Sequence, residues 1–357
     1  MTSRRLAYVL RSFPRLSETF IAGEMAELLR RGIDVQILSL EPPADEPRHE
    51  IVVDAGLVER TVYEPELFRK VLRDFQPDLL HAHFAKSATA CARDLADELG
   101  LPFTFTAHRY DIYAKPPPDF AARAVAAAAV VTVSDANASY IVQEFGVPPG
   151  HITVIPCGVD TERFRPDGPR PAPPEIVCVA RLKPFKNQRL LLDACALLQS
   201  RGVEFRCVLV GEGPCREELE AQRRRLALER TVELVGPAVA SEVLRWWQRA
   251  AIAVLPSESE GMPVCLMEAA ACAVPAVATA VGGTPELVVD GVTGLVVPPG
   301  NTHALAAALE RLLGDPGLAR RLGDAARRRA EQRFSVIRQV DALLSIWEDV
   351  LSRGRAA

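Results

Sequence analysis

The sequence predicts an α/β protein built from two doubly wound, Rossmann-like domains that face each other across a cleft. Apolar strands alternate with amphipathic helices along most of the 357 residues, a pattern typical of parallel sheets covered by helices on both faces. Five prolines between residues 166 and 174 interrupt the alternation, and a chain of this length exceeds one ordinary core. We therefore expect an N-terminal domain at 1–165, a stiff linker at 166–175, a C-terminal domain at 176–335, and a final helix at 336–357 able to pack back on the first domain.

The first domain opens with an apolar strand and an amphipathic helix. Ile21, Met25 and Leu28 recur at helical spacing, and Gly32 follows as a typical C-terminal residue of a helix. The same alternation then continues along the domain. The predicted strands lie at 6–10, 33–40, 78–81, 102–106 and 130–133, and the predicted helices at 20–31, 66–75 and 85–99.

A second alternating series follows the proline-rich segment and predicts the second sheet. Its strands are expected at 176–180, 205–210, 231–235, 252–255 and 276–278, and its helices at 187–200, 215–227, 241–248 and 263–272. In open parallel sheets, ligands bind outside the carboxyl ends of the strands. Two such domains facing each other would therefore hold a ligand between them.

Composition excludes several classes of protein. The chain is 48% apolar and 25% charged with a net charge of −4, which argues against disorder and against nucleic-acid binding driven by positive charge. Eight cysteines occur without a CxxC pair, as expected for reduced, buried thiols in the cytoplasm. No signal peptide or membrane-spanning run is recognisable, so membrane contact would be peripheral. The clustered arginines at 320–321 and 327–329 predict a solvated helix face.

The segment 250–275 carries the first candidate site. It predicts a buried strand, a loop with Glu260 and Gly261, and a helix that begins near Pro263 and carries Glu268. Ionised carboxylates are strong acceptors for paired hydroxyl groups, such as those of a sugar or ribose. The alternative is a loop charge and a solvated helix glutamate, and the residues by themselves leave both readings open.

Two cations lie at the end of the first strand of the second domain. Arg181 and Lys186 are five residues apart on a loop that leads into a helix. A guanidinium binds oxygens in a fork and an ammonium acts as a point charge, so the pair suits a diphosphate. Cations on surface loops are common, and that reading also stands. The following segment, 209–218, predicts a tight strand-to-helix turn rather than a dinucleotide fingerprint.

The first domain offers a histidine and a polar loop as further candidates. His108 ends the apolar strand at 102–106 and would meet a polar ligand at the sheet's carboxyl edge. His81 and His83 are expected to face opposite ways on their strand, which argues against a joint metal site. In the first loop, Ser17 and Thr19 are expected to cap the next helix, whose amides could meet an anion.

Taken together, these segments resemble the retaining GT-B glycosyltransferases of the glycogen-synthase-like group, also called glycosyltransferase group 1, family 4. The resemblance spans almost the whole chain and its motifs occur in family order. They are RLKPFK at 181–186, ESEGMPVCLME at 258–268, FTAHRYD at 105–111, VIPCGVDTERFRP at 154–166 and the glycine-containing segment 281–300. SFPRLSETFI at 12–21 and LLHAHFA at 79–85 resemble a subset that builds bacterial exopolysaccharides such as colanic acid.

The resemblance implies a role for each matching residue. Glu268 would hold the nucleotide ribose, Glu260 the hydroxyls of the donor sugar, and Arg181 with Lys186 the diphosphate, whose departure they would stabilise. The remaining implied contacts to the donor come from the backbone near Gly261 and Met262, from His108 on the first-domain side, and from the first loop at Ser17. Members of the group work without a metal or another cofactor and keep the anomeric configuration.

Three positions depart from the family pattern. The first loop has Arg15-Leu16-Ser17 where members often have two glycines, so its approach to the donor is open. Ala180 and Asn187 replace glycines that commonly flank the Arg and Lys motif. These departures put the geometry of the two loops in question but leave both cations in place.

The resemblance implies a cytoplasmic enzyme that moves a hexose from a nucleoside diphosphate sugar, expected to be UDP-linked, to an oligosaccharide or lipid-linked saccharide. Such a reaction belongs to bacterial polysaccharide biosynthesis, and no nucleic acid takes part. Three alternatives stay open: a natural-product glycosyltransferase acting on a small aglycone, a sugar-nucleotide epimerase of the same fold, and a non-catalytic subunit that binds sugar nucleotides. Fold by itself does not choose among them.

Overall fold

The computed structural model describes residues 4–43 and 49–356. These residues separate into two compact units. The first contains the chain up to Gly158 and again from Val336, and the second contains Val159–Ser335. The first unit is thus discontinuous in sequence, because the whole second unit is inserted before its last helix.

In the described residues, the first unit has a seven-stranded parallel sheet with the strand order β3-β2-β1-β4-β5-β6-β7. Its strands are β1 Arg5–Ser12, β2 Asp34–Glu41, β3 Thr61–Val62, β4 Leu79–His83, β5 Phe103–Ala107, β6 Ala129–Thr132 and β7 Ile152–Val154. Its α-helices are α1 Thr19–Arg30, α2 Glu50–Asp54, α3 Phe68–Phe75, α4 Ser87–Leu99, α5 Phe120–Ala126, α6 Asp135–Phe145 and, at the end of the chain, α14 Val336–Ala356.

Helices cover both faces of this sheet, and every residue of β4 and β5 is buried. The last helix belongs to this unit, because Trp347 is 1% exposed and its indole N–H donates to Thr104 Oγ1 over 3.1 Å. The guanidinium of Arg31, which follows α1, pairs with Asp341 of α14 at 2.6 Å. Burial on both faces explains why these strands are continuous apolar runs.

In the described residues, the second unit has a six-stranded parallel sheet with the order β10-β9-β8-β11-β12-β13. Its strands are β8 Glu175–Val179, β9 Arg206–Val210, β10 Val232–Gly236, β11 Ala250–Leu255, β12 Ala276–Thr279 and β13 Gly294–Val297. Its α-helices are α7 Gln188–Ser200, α8 Arg216–Arg225, α9 Ala240–Arg249, α10 Val264–Ala271, α11 Thr284–Leu287, α12 Thr302–Gly314 and α13 Pro316–Arg333.

Each sheet has one point at which the direction of strand addition reverses. In the first unit this switch lies between β1 and β4, and in the second between β8 and β11. The loops that leave two such strands diverge to opposite sides of the sheet and open a crevice at its carboxyl edge. The strand order therefore brings the loop after β8 and the loop after β11 side by side.

The break between the units lies after Gly158, earlier than the proline-rich segment 166–175 at which the sequence placed the linker. That segment belongs to the second unit, where the guanidinium of Arg170 donates to the carbonyl of Ala273 over 2.7 Å. Phe164 is also buried, and its carbonyl accepts a hydrogen bond from Arg327. The proline-rich segment is therefore part of the second unit and is not a linker between the two units.

No helix in the described ranges 4–43 and 49–356 is both long enough and apolar enough to cross a membrane.

Candidate functional site

The loops after β8 and β11 are joined by hydrogen bonds at the switch point of the second sheet. The backbone N–H of Glu258 donates to the carbonyl of Phe185 over 2.8 Å, and Asn187 Nδ2 donates to Glu258 Oε1 over 3.1 Å. Asn187 has a φ of 49°, in the left-handed region that glycine and asparagine tolerate best. Asparagine thus supplies a conformation that suits glycine, the residue expected here from the family pattern.

Between these loops, Lys186 forms an ion pair with Glu260. Lys186 Nζ lies 2.6 Å from Glu260 Oε1, and the side chains are only 15% and 6% exposed. Burying two opposite charges is tolerated when they are paired at short distance. The contact brings one cation and one acid predicted from the sequence into a single site.

Glycines permit the close backbone packing that holds this site. A Cβ atom on Gly282, whose φ is +49°, would lie 1.8 Å from the carbonyl oxygen of Glu260. The neighbouring N–H of Gly283 donates to the carbonyl of Gly261 over 2.9 Å. The segment after β12 therefore packs directly against Glu260 and Gly261, and only glycine fits at position 282.

The turn after β9 supports the Arg181 loop in the same way. Cβ atoms on Gly211 and Gly213 would lie 2.1 Å from the carbonyl oxygen of Ala180 and 2.4 Å from that of Leu182. Both glycines have φ values above +140°. The segment 209–218 is thus a strand-to-helix turn whose glycines make room for the neighbouring loop.

Glu268 lies on α10 and is buried, with 8% of its surface exposed. Its Oε2 accepts a hydrogen bond of 3.3 Å from the indole N–H of Trp247 on α9. Burial raises the pKa of Glu268 to about 7, against the lowering effects of the Trp247 hydrogen bond and the nearby Arg163. The reading of Glu268 as a solvated helix glutamate is therefore wrong.

The half-buried thiol of Cys265 shows that three predicted residues share one neighbourhood. Burial raises its pKa, while the charge of Lys186 lowers it and the charges of Glu260 and Glu268 raise it further. Such effects require short separations, because Coulomb energy falls with distance. Lys186, Glu260 and Glu268 are thus all near enough to Cys265, in the first turn of α10, to act on its charge.

The remaining predicted residues of this unit flank the same site. Arg181 is exposed at the start of the loop after β8 and forms no ion pair with any residue in the described part of the chain. Its carbonyl accepts a hydrogen bond from Gln188 over 3.1 Å. Gly261 and Met262 are buried immediately before α10. The guanidinium of Arg181 is therefore the more accessible of the two cations.

His108 lies at the carboxyl edge of the first unit's sheet, directly after β5, and is 7% exposed. Its backbone N–H donates to Asp111 Oδ1 over 3.0 Å, and Asp111 Oδ2 accepts the N–H of Ala85 over 2.6 Å. Burial raises the pKa of Asp111 to about 7, against the lowering effect of these amides. One carboxyl group thus ties the ends of β4 and β5 together and fixes the backbone of His108.

The prediction that His81 and His83 face opposite ways is wrong. Residues i and i+2 of a strand share a face, and the two ring centroids are 5.0 Å apart. Together with the Glu24 carboxylate, these rings offer nitrogen and oxygen atoms that lie within 4.8 Å of one another. Glu24 was not among the residues predicted from the sequence. The sequence feature that could have identified Glu24 is its charge on the apolar face of α1, three residues after Ile21 and four before Leu28.

Two smaller predictions are also corrected. The cap residue of α1 is Glu18, not Ser17, whose side chain is exposed in the preceding turn. Of the arginines predicted to form a solvated face, Arg320, Arg321 and Arg328 are exposed, but Arg327 and Arg329 are not. Arg327 donates to the backbone carbonyls of Thr161, Phe164 and Ala271, and Arg329 donates to that of Glu286. These half-buried arginines hold loops of the second unit against α13.

Comparison with known proteins assigns the family. Residues 160–329 match the model of glycosyl transferases group 1, and residues 17–163 match that of glycosyltransferase family 4. The chain is 30% identical to D-inositol 3-phosphate glycosyltransferase of Saccharomonospora viridis, in an alignment that covers 94% of this chain and 89% of that protein. The chain belongs to the group 1 glycosyltransferases. The family resemblance read from the sequence is thereby confirmed.

Further comparisons agree with this assignment to the group 1 glycosyltransferases. The WcaL glycosyltransferase of Escherichia coli K12, named for colanic acid biosynthesis, is 28% identical over 85% of this chain and 89% of its own. The crystal structure of Anabaena HepE in complex with UDP-glucose superposes with a TM-score of 0.81 at 19% identity, covering 97% and 99% of the two chains. The likeness to HepE shows the fold, and the predicted GT-B class is confirmed.

Proposed function

We propose that this group 1 glycosyltransferase transfers a hexose from a UDP-sugar to an oligosaccharide or lipid-linked saccharide with retention of the anomeric configuration. The observation that carries the proposal is the Lys186–Glu260 ion pair at the switch point of the second sheet, with Nζ and Oε1 2.6 Å apart. This is the position at which open parallel sheets bind nucleotides. A cation that can bind phosphate and a carboxylate that can accept from hydroxyl groups are in contact at that position.

Each predicted residue would bind one part of the donor. Glu268 accepts two hydroxyl protons from the ribose, because an ionised carboxylate offers two acceptor oxygens. Arg181 binds the diphosphate in a fork, and Lys186 contributes a point charge. Glu260 and the amides of Gly261 and Met262 hold the sugar and its phosphate. For His108 and the loop at Ser17, both in the first unit, the family resemblance alone supports a contact to the donor.

The same groups account for the chemistry. The bond between C1 of the sugar and the diphosphate oxygen breaks, and the acceptor oxygen bonds to C1 on the same face. The acceptor's proton passes to the departing phosphate oxygen, so the step needs no metal, other cofactor or enzymic nucleophile. Arg181 and Lys186 stabilise the charge that develops on the diphosphate, and preorganised charge of this kind usually contributes most to catalysis.

The names of relatives support the choice of substrates. HepE was crystallised with UDP-glucose, which favours UDP as the nucleotide. WcaL is named for colanic acid, which favours a saccharide acceptor in bacterial polysaccharide biosynthesis. A lipid-linked acceptor would bring this cytoplasmic enzyme to the inner face of the cell membrane. The name D-inositol 3-phosphate glycosyltransferase favours a second candidate, transfer to a small polyol.

The test begins with a thermal-shift screen of nucleoside diphosphate sugars, because a ligand that binds the folded state raises the melting temperature. The donor that binds is then incubated with saccharide, lipid-linked and polyol acceptors, and NMR of the product gives its anomeric configuration. Arg181→Ala and Glu260→Ala should lose transfer. Arg189→Ala should retain it, because that exposed cation on α7 pairs with Glu218 at the surface.

Each alternative function predicts a distinct result. Full transfer by both Arg181→Ala and Glu260→Ala contradicts the assignment of the site. Conversion of the donor with no acceptor present identifies an epimerase. Binding without transfer or hydrolysis identifies a non-catalytic subunit, and an inverted product overturns the front-face mechanism.

A further inference from the structure

A chain of buried hydrogen bonds runs through the first unit from α14 to His108. It links Gln339, Glu24, His83 and His108, of which Glu24 and His83 are each 1% exposed. We infer that Glu24 and His83 are positioning residues: they hold His108 as the tautomer protonated on Nε2 and leave Nδ1 as a hydrogen-bond acceptor for a sugar hydroxyl. The contact to the sugar rests on the proposed function, whereas the tautomer follows from the first unit alone.

The amide of Gln339 has a fixed orientation. The backbone N–H of Gly158 donates to Gln339 Oε1 over 2.7 Å. An N–H can only donate, so the other end of the amide is the NH2 group. This Nε2 lies 2.6 Å from Glu24 Oε2 and donates to it.

The other oxygen of Glu24 also faces donors. Tyr8 Oη lies 2.6 Å from Glu24 Oε1. Burial, followed by the nearby Glu24 carboxylate, raises the pKa of Tyr8 well above its ordinary value, so its hydroxyl keeps its proton and donates. Both oxygens of Glu24 thus have donors beside them. Glu24 acts only as an acceptor in this network, as an ionised carboxylate does.

The acceptor oxygen of Glu24 then fixes the tautomer of His83. His83 Nε2 lies 3.3 Å from Glu24 Oε1 and must carry a proton to donate to it. As part of this inference we place His83 in its neutral form, in which the second nitrogen is then an acceptor. His83 Nδ1 therefore offers a lone pair to its other neighbour.

That neighbour is His108, whose Nε2 lies 3.1 Å from His83 Nδ1. Burial, followed by the charge that His83 would carry, lowers the pKa of His108 well below its ordinary value, so the ring is neutral. Nε2 must carry the single proton in order to donate to His83. Nδ1 is left with a lone pair, and among the described residues it has no hydrogen-bond partner.

Packing holds the ring of His108 in this orientation. It stacks on His83 with an angle of 19° between the ring planes and contacts Phe20 and Phe84, with ring centroids 5.1 and 4.6 Å away. Phe84 has a φ of 69°, an unusual conformation for a bulky residue and one that often marks a functional site. A neutral imidazole held this way accepts a hydrogen bond from a sugar hydroxyl and disfavours a donor lacking that hydroxyl.

A metal ion at Glu24, His81 and His83 is the competing explanation, since their ligand atoms lie close enough. Each of these atoms already has a partner. His81 Nδ1 and Nε2 lie 2.8 and 3.1 Å from Thr104 Oγ1 and Thr106 Oγ1, and both oxygens of Glu24 accept the hydrogen bonds described above. A metal would have to displace these bonds, so we assign the cluster to hydrogen bonding.

The test of the tautomer is NMR of protein labelled with 15N-histidine, in which two-bond couplings report the protonation of each ring nitrogen. The six histidines are assigned with single His→Gln variants. We expect His83 and His108 to be neutral and protonated on Nε2 in the ligand-free protein. Glu24→Gln should produce a mixture of tautomers at both rings. Tyr8→Phe, which removes a donor from the same oxygen but keeps the charge, should leave His108 unchanged.

The kinetic test uses a set of monodeoxy donors. One of them should lose roughly 3- to 10-fold in kcat/KM with the wild-type enzyme, the value of one hydrogen bond. With Glu24→Gln, the penalty for that donor should become smaller, because His108 then accepts from the hydroxyl in only part of the population. A merely structural role for Glu24 would lower kcat/KM for all donors equally.

The outcomes separate this inference from the proposed function. A proton on His108 Nδ1, a doubly protonated His83, or stoichiometric metal that is lost in His83→Gln overturns the network. The predicted tautomers without the donor-specific effect overturn only the contact to the sugar. The NMR result stands even if no glycosyl transfer is found.

Discussion

Lys186 Nζ lies 2.6 Å from Glu260 Oε1 and joins the two loops that diverge at the switch point of the second sheet. Both side chains are largely buried, so each charge compensates the other before any ligand is present. The pair therefore presents a preformed cation and acceptor and avoids the cost of ordering two mobile loops when the donor binds.

The first prediction concerns this ion pair. Lys186→Met leaves Glu260 as a buried, unpaired charge and should destabilise the second unit by on the order of 3 kcal/mol. Adding Glu260→Gln should restore much of the stability, because the unpaired charge is gone, but not glycosyl transfer. Thermal unfolding and a transfer assay measure the two effects. If Lys186→Met melts at the wild-type temperature, the pair is not the structural link described here.

The second prediction concerns Gly282, which packs against Glu260. Gly282→Ala would place a Cβ atom 1.8 Å from the carbonyl oxygen of Glu260, so the loop must move and transfer should fall at least tenfold. Gly291→Ala is the matched control, since Gly291 also has a left-handed φ but a Cβ atom there would have nothing within 4 Å. It should cost about 1 kcal/mol from backbone strain and leave transfer intact. Equal losses of activity in the two variants would contradict the prediction.

The third prediction follows from the pKa of Glu268, which burial raises to about 7. A raised carboxyl pKa means that the folded state binds the proton more tightly than the unfolded state. Stability contributed by this group is thus fully present below its ordinary pKa and is lost as pH rises toward about 7. Glu268→Gln should remove this loss. The melting temperature of the variant, relative to that of the wild type, should therefore increase as pH rises from 5 to 7.

Binding of the donor should show the opposite trend with pH. Ionised Glu268 is the better acceptor for ribose hydroxyls, so affinity for the UDP-sugar should rise as pH increases through about 7. Calorimetric titration of the wild type and Glu268→Gln measures this, and a sugar diphosphate serves because its own charge is constant in this range. A wild-type affinity independent of pH would exclude Glu268 from the ribose contact.

The fourth prediction concerns Gly158, at the point where the chain leaves the first unit. A Cβ atom there would lie 2.4 Å from Val336 Cα and 2.8 Å from Gln339 Oε1. Gly158→Ala should therefore lower the melting temperature and disturb the Gln339–Glu24 hydrogen bond. Gly150→Ala, with nothing within 4 Å, is the control. Equal melting temperatures for the two variants would show that the crossing is not tightly packed.

Much of the fold follows from local sequence signals. Long apolar strands and amphipathic helices such as α1 and α7 lie within about two residues of their predicted ends. Three helices of the first unit, α2, α5 and α6, were not predicted. Residues 121–129 are dominated by alanine, which gives no apolar periodicity to detect. The position of α6 depends on its cap, where Ser134 Oγ accepts the N–H of Asn137 over 3.1 Å.

The residues of the candidate site also differ in whether the sequence alone could identify them. Lys186, Glu260 and Glu268 could be found because each lies at a strand end or near a helix start within a recognisable motif. The network of Glu24 could not, because its partner Gln339 is 315 residues away in the chain. Only the folded first unit brings α1 and α14 together. Long-range pairing of polar groups leaves almost no trace in local periodicity.

The insertion of Val159–Ser335 between Gly158 and α14 has a consequence for how the chain folds while it is being translated. The ribosome completes the second unit before it synthesises the helix that carries Gln339 and Trp347. Until then the indole-sized space beside Tyr8 and His81 stays unfilled, and Glu24 lacks one of its donors. The first unit is therefore the last to fold completely, although its synthesis begins first, and a stop codon near position 335 would leave the second unit whole and the first unit incomplete.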